Sequence, residues 1–196
     1  MRTRQRESVE LPSLEQIEEE RKRLRYRSRY RRTLKSTIAI LVVVAAAAVL
    51  VATLWMPVLR IYGSSMVPTL KDGQLVVCVK TTDFQPGDIA AFYHGNKLLI
   101  KRYIAGPSQW VNIDEDGNVY INGVELDEPY LAEKAFGETN ITLPYQVPDK
   151  RYFLMGDNRD VSIDSRNTAV GCVAADQIVG KVVFRVWPLR EFGPIG

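Results

Sequence analysis

Apolar and polar positions divide the chain into three stretches of different texture. Residues 36–59 read STIAILVVVAAAAVLVATLWMPVL without one charged side chain, and Lys35 and Arg60 bracket the run. A helix rises about 1.5 Å per residue, so some twenty such residues cross a hydrocarbon layer of about 30 Å. The run therefore predicts a membrane-spanning helix. Trp55, near its far end, suits the interface, and Pro57 ends or kinks the span. A cleaved secretory leader has a shorter apolar region, about 7–15 residues, behind a short basic start. Here 35 residues precede the run, which favours an uncleaved anchor.

Upstream the texture is polar. Ser13 and Gln16 have the spacing of a capping box. Glu18, Glu19 and Glu20 come before a crowd of arginines, the order that the helix dipole favours, and Glu18–Lys22 and Glu19–Arg23 stand at pairing distance. Residues 14–35 are expected to form a solvated helix leading into the span, and residues 1–12 to be disordered. Downstream of residue 60 the apolar runs become short and alternating. Residues 74–80 (QLVVCVK), 88–94 (DIAAFYH), 98–104, 110–113, 118–122, 152–155 and 178–187 read as strands. Turn signals separate them, among them Lys71-Asp72-Gly73, Gln85-Pro86-Gly87, His94-Gly95-Asn96 and Asp116-Gly117-Asn118. Strands joined by tight turns without intervening helical patterns predict a mainly β fold of antiparallel sheets. Residues 124–150, richer in Glu, Pro and Gly, read as an irregular, exposed insertion.

Charge adds an orientation. Residues 1–35 carry twelve Lys/Arg against six Glu, whereas the remainder carries fourteen basic against seventeen acidic residues. Arg21, Lys22, Arg23, Arg25, Arg27, Arg29, Arg31, Arg32 and Lys35 crowd one flank of the apolar run, and the other offers Arg60 and then little until Lys71. The positive-inside rule places residues 1–35 in the cytoplasm, residues 36–59 in the plasma membrane and residues 60–196 outside. A basic run that abuts a span and carries no nucleic-acid-binding fold is a topology signal touching lipid phosphates, so no nucleic-acid partner is expected. The single histidine, His94, and two distant cysteines, Cys78 and Cys172, argue against a dedicated zinc site. The two cysteines can pair outside the cell, although both stand in apolar, strand-like contexts where buried free thiols are common.

The candidate chemistry lies in the outer part. Residues 63–70 (GSSMVPTL) offer serines on a turn between a glycine and a stiffening proline. A serine hydroxyl needs a base. His94 precedes Gly95-Asn96 at a hairpin tip and reads as a turn residue. A lysine can serve if burial keeps it neutral, since its free pKa of about 10.4 falls by several units when water is excluded. Two lysines sit inside apolar strands: Lys101, after Leu98-Leu99-Ile100, and Lys181, within 178–184. Local texture does not choose between them. Residues 156–166 (GDNRDVSIDSR) are dense in hydrogen-bonding side chains directly after an apolar strand. They lack the spacing and closing glutamate of a calcium loop and read as a polar network beside a cleft.

Three segments together resemble the type I signal peptidases. Residues 63–70 are similar to that family's serine box, Gly87-Asp88-Ile89 followed by Lys101-Arg102 to its lysine region, and residues 156–166 match its G-D-N-R-x-x-S-x-D-S-R box at every fixed position. The resemblance covers roughly residues 36–190. It implies a membrane-anchored serine endopeptidase that removes signal peptides from exported precursors, held by the lipid bilayer with its catalytic domain outside, and needing no metal or organic cofactor. It implies Ser65 as nucleophile and Lys101 as general base, in preference to Lys181. It further implies Ser162 as the group that orients Lys101, Asp164 and Arg166 as a supporting ion pair, and the Ser65 N–H as an oxyanion donor. Gly63 stands where some members add a hydroxyl donor, and Gln74 and Pro107-Ser108-Gln109 depart from the usual pattern. An extended substrate is expected near Gly63 and Asp88, with shallow apolar pockets at Met66 and Ile100 that admit only small side chains. Self-cleaving repressors share the Ser/Lys chemistry but carry a DNA-binding domain in place of a span. Degenerate accessory relatives lose the serine or the lysine, and both are present here.

Overall fold

The computed structural model describes residues 13–195, so the expectation for residues 1–12 lies outside the described residues. The chain falls into two units, residues 1–51 and 52–196. One helix, α1, runs over Leu14–Trp55, 42 residues. Its first turn is closed by the expected capping box: Ser13 N–H donates to Gln16 Oε1 at 3.0 Å and Gln16 N–H to Ser13 Oγ at 3.3 Å. The ion pair on its polar half is Glu20–Arg23 at 3.3 Å rather than the two i,i+4 pairs expected. At this exposure such a pair contributes little. The helix is long and apolar enough to cross a membrane.

The apolar run is not helical to its end. The helix stops at Trp55, two residues before Pro57, and Val58–Arg60 forms a strand, β1. This strand pairs antiparallel with β2, Leu75–Val79. Then follow β3 (Ile89–His94), β4 (Lys97–Ala105), β5 (Trp110–Ile113), β6 (Val119–Ile121), β7 (Val124–Glu125), β8 (Tyr145–Gln146), β9 (Arg151–Met155), β10 (Val173–Ala174), β11 (Ile178–Trp187) and β12 (Gly193–Pro194). An eight-stranded sheet runs in the order β1-β2-β11-β3-β4-β9-β10, with β12 also on β11. A smaller sheet runs β7-β6-β5-β8. Every pairing is antiparallel, as the tight turns predict.

Three apolar clusters hold these layers. Met66, Leu70, Val76, Cys78, Ile89 and Val182 form one, and Phe84, Ala90, Phe92, Tyr103 and Leu154 another. A third, with Val111, Val119, Phe153, Met155 and Cys172, joins the small sheet to β4 and β9. Cys78 and Cys172 are free, buried thiols in different clusters, which removes the disulfide alternative. Burial pushes both thiols up to about 11. Residues 124–150 are irregular but not simply exposed. Val147 packs in the third cluster, and Glu128 is buried against Arg159.

Two of the strand edges left unpaired among the described residues border the site. β1 has only β2 beside it. β9 reaches β4 only over Arg102 to Ala105, so the Lys97–Lys101 half of β4 is paired on one side alone, by β3.

Candidate active site

Those two free edges face one cleft. It has a volume of about 520 Å³ and is lined by residues 58–63, 65, 66 and 97–101. Ser65, Lys101, Gly63, Met66 and Ile100 all belong to that lining. Asp88 does not; it lines a separate cavity with Gly87, Arg102 and Tyr130. Its carboxylate pairs with Lys181 at 2.7 Å, at the start of β3. That pairing also separates the two candidate bases. Lys181 is 33 % exposed and neutralised by a carboxylate, whereas Lys101 is 4 % exposed. Both stand opposite Ala90 in the sheet, on β4 and β11 respectively, so strand context alone could not tell them apart. His94 closes the β3–β4 hairpin opposite Lys97.

Lys101 Nζ donates to Ser162 Oγ at 2.8 Å. Burial lowers its pKa from 10.5 to about 8; Asp164 and Asp157 oppose the change and Arg166 assists it. Asp164 lies behind Ser162. Burial pushes its carboxyl up, but hydrogen bonds and charge from Arg166, the Gly156 N–H and the Ser162 hydroxyl outweigh this and hold it below the usual range. Arg166 grips Asp164 through Nε at 2.9 Å and Nη2 at 2.9 Å and spends its remaining donors on the carbonyls of Phe136 and Arg159. With the Ser162 proton directed at Asp164, an Oγ lone pair is left for the lysine N–H. Ser162 thereby fixes where the amine points.

The 156–166 segment also holds the serine turn. Asn158 N–H donates to the Ser65 carbonyl at 3.0 Å. A methyl group on Gly156 would overlap Ser162 Oγ and the Ser65 carbonyl oxygen together, so only glycine fits between nucleophile turn and orienting hydroxyl. Among the described residues the Ser65 hydroxyl and N–H have no hydrogen-bond partner, which leaves both for a substrate. Gly63 adopts φ +85°, a conformation that suits glycine, and its position offers no hydroxyl.

Beyond the expected residues lies a second buried layer. Arg102 makes a two-pronged pair with Asp157 (2.8 and 2.6 Å), donates to Thr69 Oγ1 at 3.1 Å and to the Gly87 carbonyl, and stacks 3.7 Å from the Tyr130 ring centre. Thr69 in turn donates to Asp157 at 2.5 Å. Tyr130 donates to Glu128, which pairs with Arg159. This layer ties together the segments that carry Ser65, Lys101 and Ser162. Arg102 and Asp157 adjoin expected residues, and that adjacency was the available signal. Glu128 and Tyr130 carry no local signal at all.

A serine on a turn, a buried lysine of lowered pKa and a free strand edge thus meet in one cleft. The family model described as signal peptidase, peptidase S26, matches residues 33–187. The chain belongs to that family. Signal peptidase IB of Staphylococcus aureus (strain COL) is 41 % identical over 153 residues, covering 67 % of this chain and 78 % of its own. Signal peptidase I of Bacillus licheniformis is 36 % identical over 166 residues, covering 78 % and 88 %. A crystal structure of a signal peptidase I from Enterococcus faecalis V583 is 31 % identical with a TM-score of 0.45, covering 52 % of this chain and 98 % of that one. The chain is thus a peptidase of family S26, built on antiparallel β-sheets behind one long apolar helix.

Proposed function

We propose that this chain is a membrane-anchored endopeptidase that removes signal peptides from exported precursors, with Ser65 as nucleophile and Lys101 as base. The observation that carries the reading is the buried Lys101 amine, held by Ser162 in the cleft that Ser65 lines. The neutral amine takes the Ser65 proton, Oγ attacks the scissile carbonyl, and the Ser65 N–H receives the developing oxyanion. The lysine, now protonated, gives its proton to the leaving amine. It then activates the water that releases the acyl group. Asp164 and Arg166 act through Ser162. An extended precursor adds to the free edges of β1 and β4, with its small residues over Met66 and Ile100. Residues 36–55 anchor the enzyme with the basic flank in the cytoplasm and the β domain outside, which keeps it beside emerging precursors.

The test is cleavage of a precursor with an alanine-containing site by the full-length protein in detergent. Ser65→Ala and Lys101→Ala are expected to abolish cutting, and Lys181→Ala to keep most of it. A Lys101→Ala enzyme that still cuts, beside a Lys181→Ala enzyme that does not, would overturn the assignment.

A further inference from the structure

The cleft has an uneven charge that the chemistry of bond cleavage does not use. Its lining includes three cations, Arg60, Lys97 and Lys101, and no carboxylate. Lys101 is committed to the base. Arg60 and Lys97 are exposed, and among the described residues neither is in an ion pair. Arg60 instead lies 5.4 Å from the Tyr62 ring centre, on β1, which lines the same cleft as Lys97. Lys97 precedes Lys101 by four residues on one strand, which at about 3.3 Å per residue puts the two Cα atoms about 13 Å apart. A precursor extended along this edge, with its cut at the Lys101 end and its N-terminal side toward Lys97, carries its fourth or fifth residue before the cut beside Lys97, in the cleft that Arg60 also lines.

Resting on the peptidase reading above, we propose that Arg60 and Lys97 are specificity-determining residues that select precursors with an acidic side chain four or five residues before the cut and reject those with a basic one. Attraction and repulsion between exposed charges are each modest, about two- to fivefold in rate constant per pair, but the same two cations act in opposite directions on Glu and Lys. They also complete the discrimination of the small-residue pockets, which are apolar and cannot read charge.

The experiment compares three precursors that differ only in carrying Glu, Gln or Lys at both the fourth and fifth positions before the cut. The enzyme is full-length protein in neutral detergent. The expected order of kcat/KM is Glu, then Gln, then Lys, about two- to fivefold per step. The spread should narrow as salt is raised. The Arg60→Gln/Lys97→Gln double variant should flatten the order and the Arg60→Glu/Lys97→Glu double variant should reverse it, each rate taken relative to the Gln precursor so that folding losses cancel. Equal rates on all three precursors, or an order that survives in either double variant, would overturn the proposal. A charge preference that arises only when phosphatidylglycerol vesicles are added would overturn it too, assigning these cations to lipid phosphate. An enzyme that cuts none of the three, Gln included, speaks against the peptidase reading, and the selectivity falls with it.

Discussion

Replacing Lys101 by Met should abolish catalysis and, at neutral pH, stabilise the fold. Met keeps the length and packing of the lysine stem and removes the charge. A lowering of the lysine pKa from 10.5 to about 8 in a side chain 4 % exposed means that the folded protein carries the ammonium form at a cost of about 3 kcal/mol. Losing the Ser162 hydrogen bond offsets about 1 kcal/mol of the gain, so the variant should be more stable by about 2 kcal/mol at pH 7. The pH dependence carries the sign. Between pH 8 and 10.5 the unfolded wild type binds a proton that the folded one does not, so wild-type stability rises with pH across that window relative to the Met variant. The advantage of Met is therefore full below pH 8 and gone by pH 10.5. Urea unfolding of both full-length proteins in detergent at several pH values measures it, with equal m-values as the control. A Met variant less stable at pH 7, or a difference independent of pH, would refute the argument.

Gly156→Ala should remove activity and destabilise by about 1–3 kcal/mol, because a methyl group there displaces both Ser162 and the Ser65 turn; activity and thermal unfolding read this together. Glu128→Gln should destabilise by about 3–5 kcal/mol by leaving the Arg159 guanidinium buried without its carboxylate, a loss that urea unfolding detects. Cys78 and Cys172 should resist thiol reagents at pH 7 in the native protein and react at once in urea, since burial holds both thiols protonated.

Most of the large sheet was legible in the sequence because Gly-containing turns bound its strands and alternation marked their inner faces. The strand expected over 74–80 is found at Leu75–Val79, and the one at Ile178–Trp187 agrees at both ends. β1 was not legible: Val58–Arg60 continues the apolar run, and an edge strand shares its hydrophobicity with the helix before it. β7, β8, β10 and β12 are two residues long, too short to show a period. At the site, the resemblance named Ser65, Lys101, Ser162, Asp164 and Arg166, and the structure brings the last four into one network and the first into the same cleft. The ion pair of Asp88 was not legible, because its partner Lys181 stands 93 positions away and faces it from a neighbouring strand. Glu128 and Tyr130 lie in a stretch whose composition suggested exposure, and the burial of the one and half-burial of the other follow from arginines far along the chain.

The central claim is that Lys101 loses its proton well below the ordinary range for a lysine and that cleavage depends on this loss. Nitrogen-15 NMR titration of the Lys101 Nζ, read beside kcat/KM on the same preparation, tests it directly. One shared midpoint at about pH 8, absent from the Lys101→Ala spectrum, is the predicted result. An amine that titrates near 10.5 while kcat/KM rises at another pH would contradict the account.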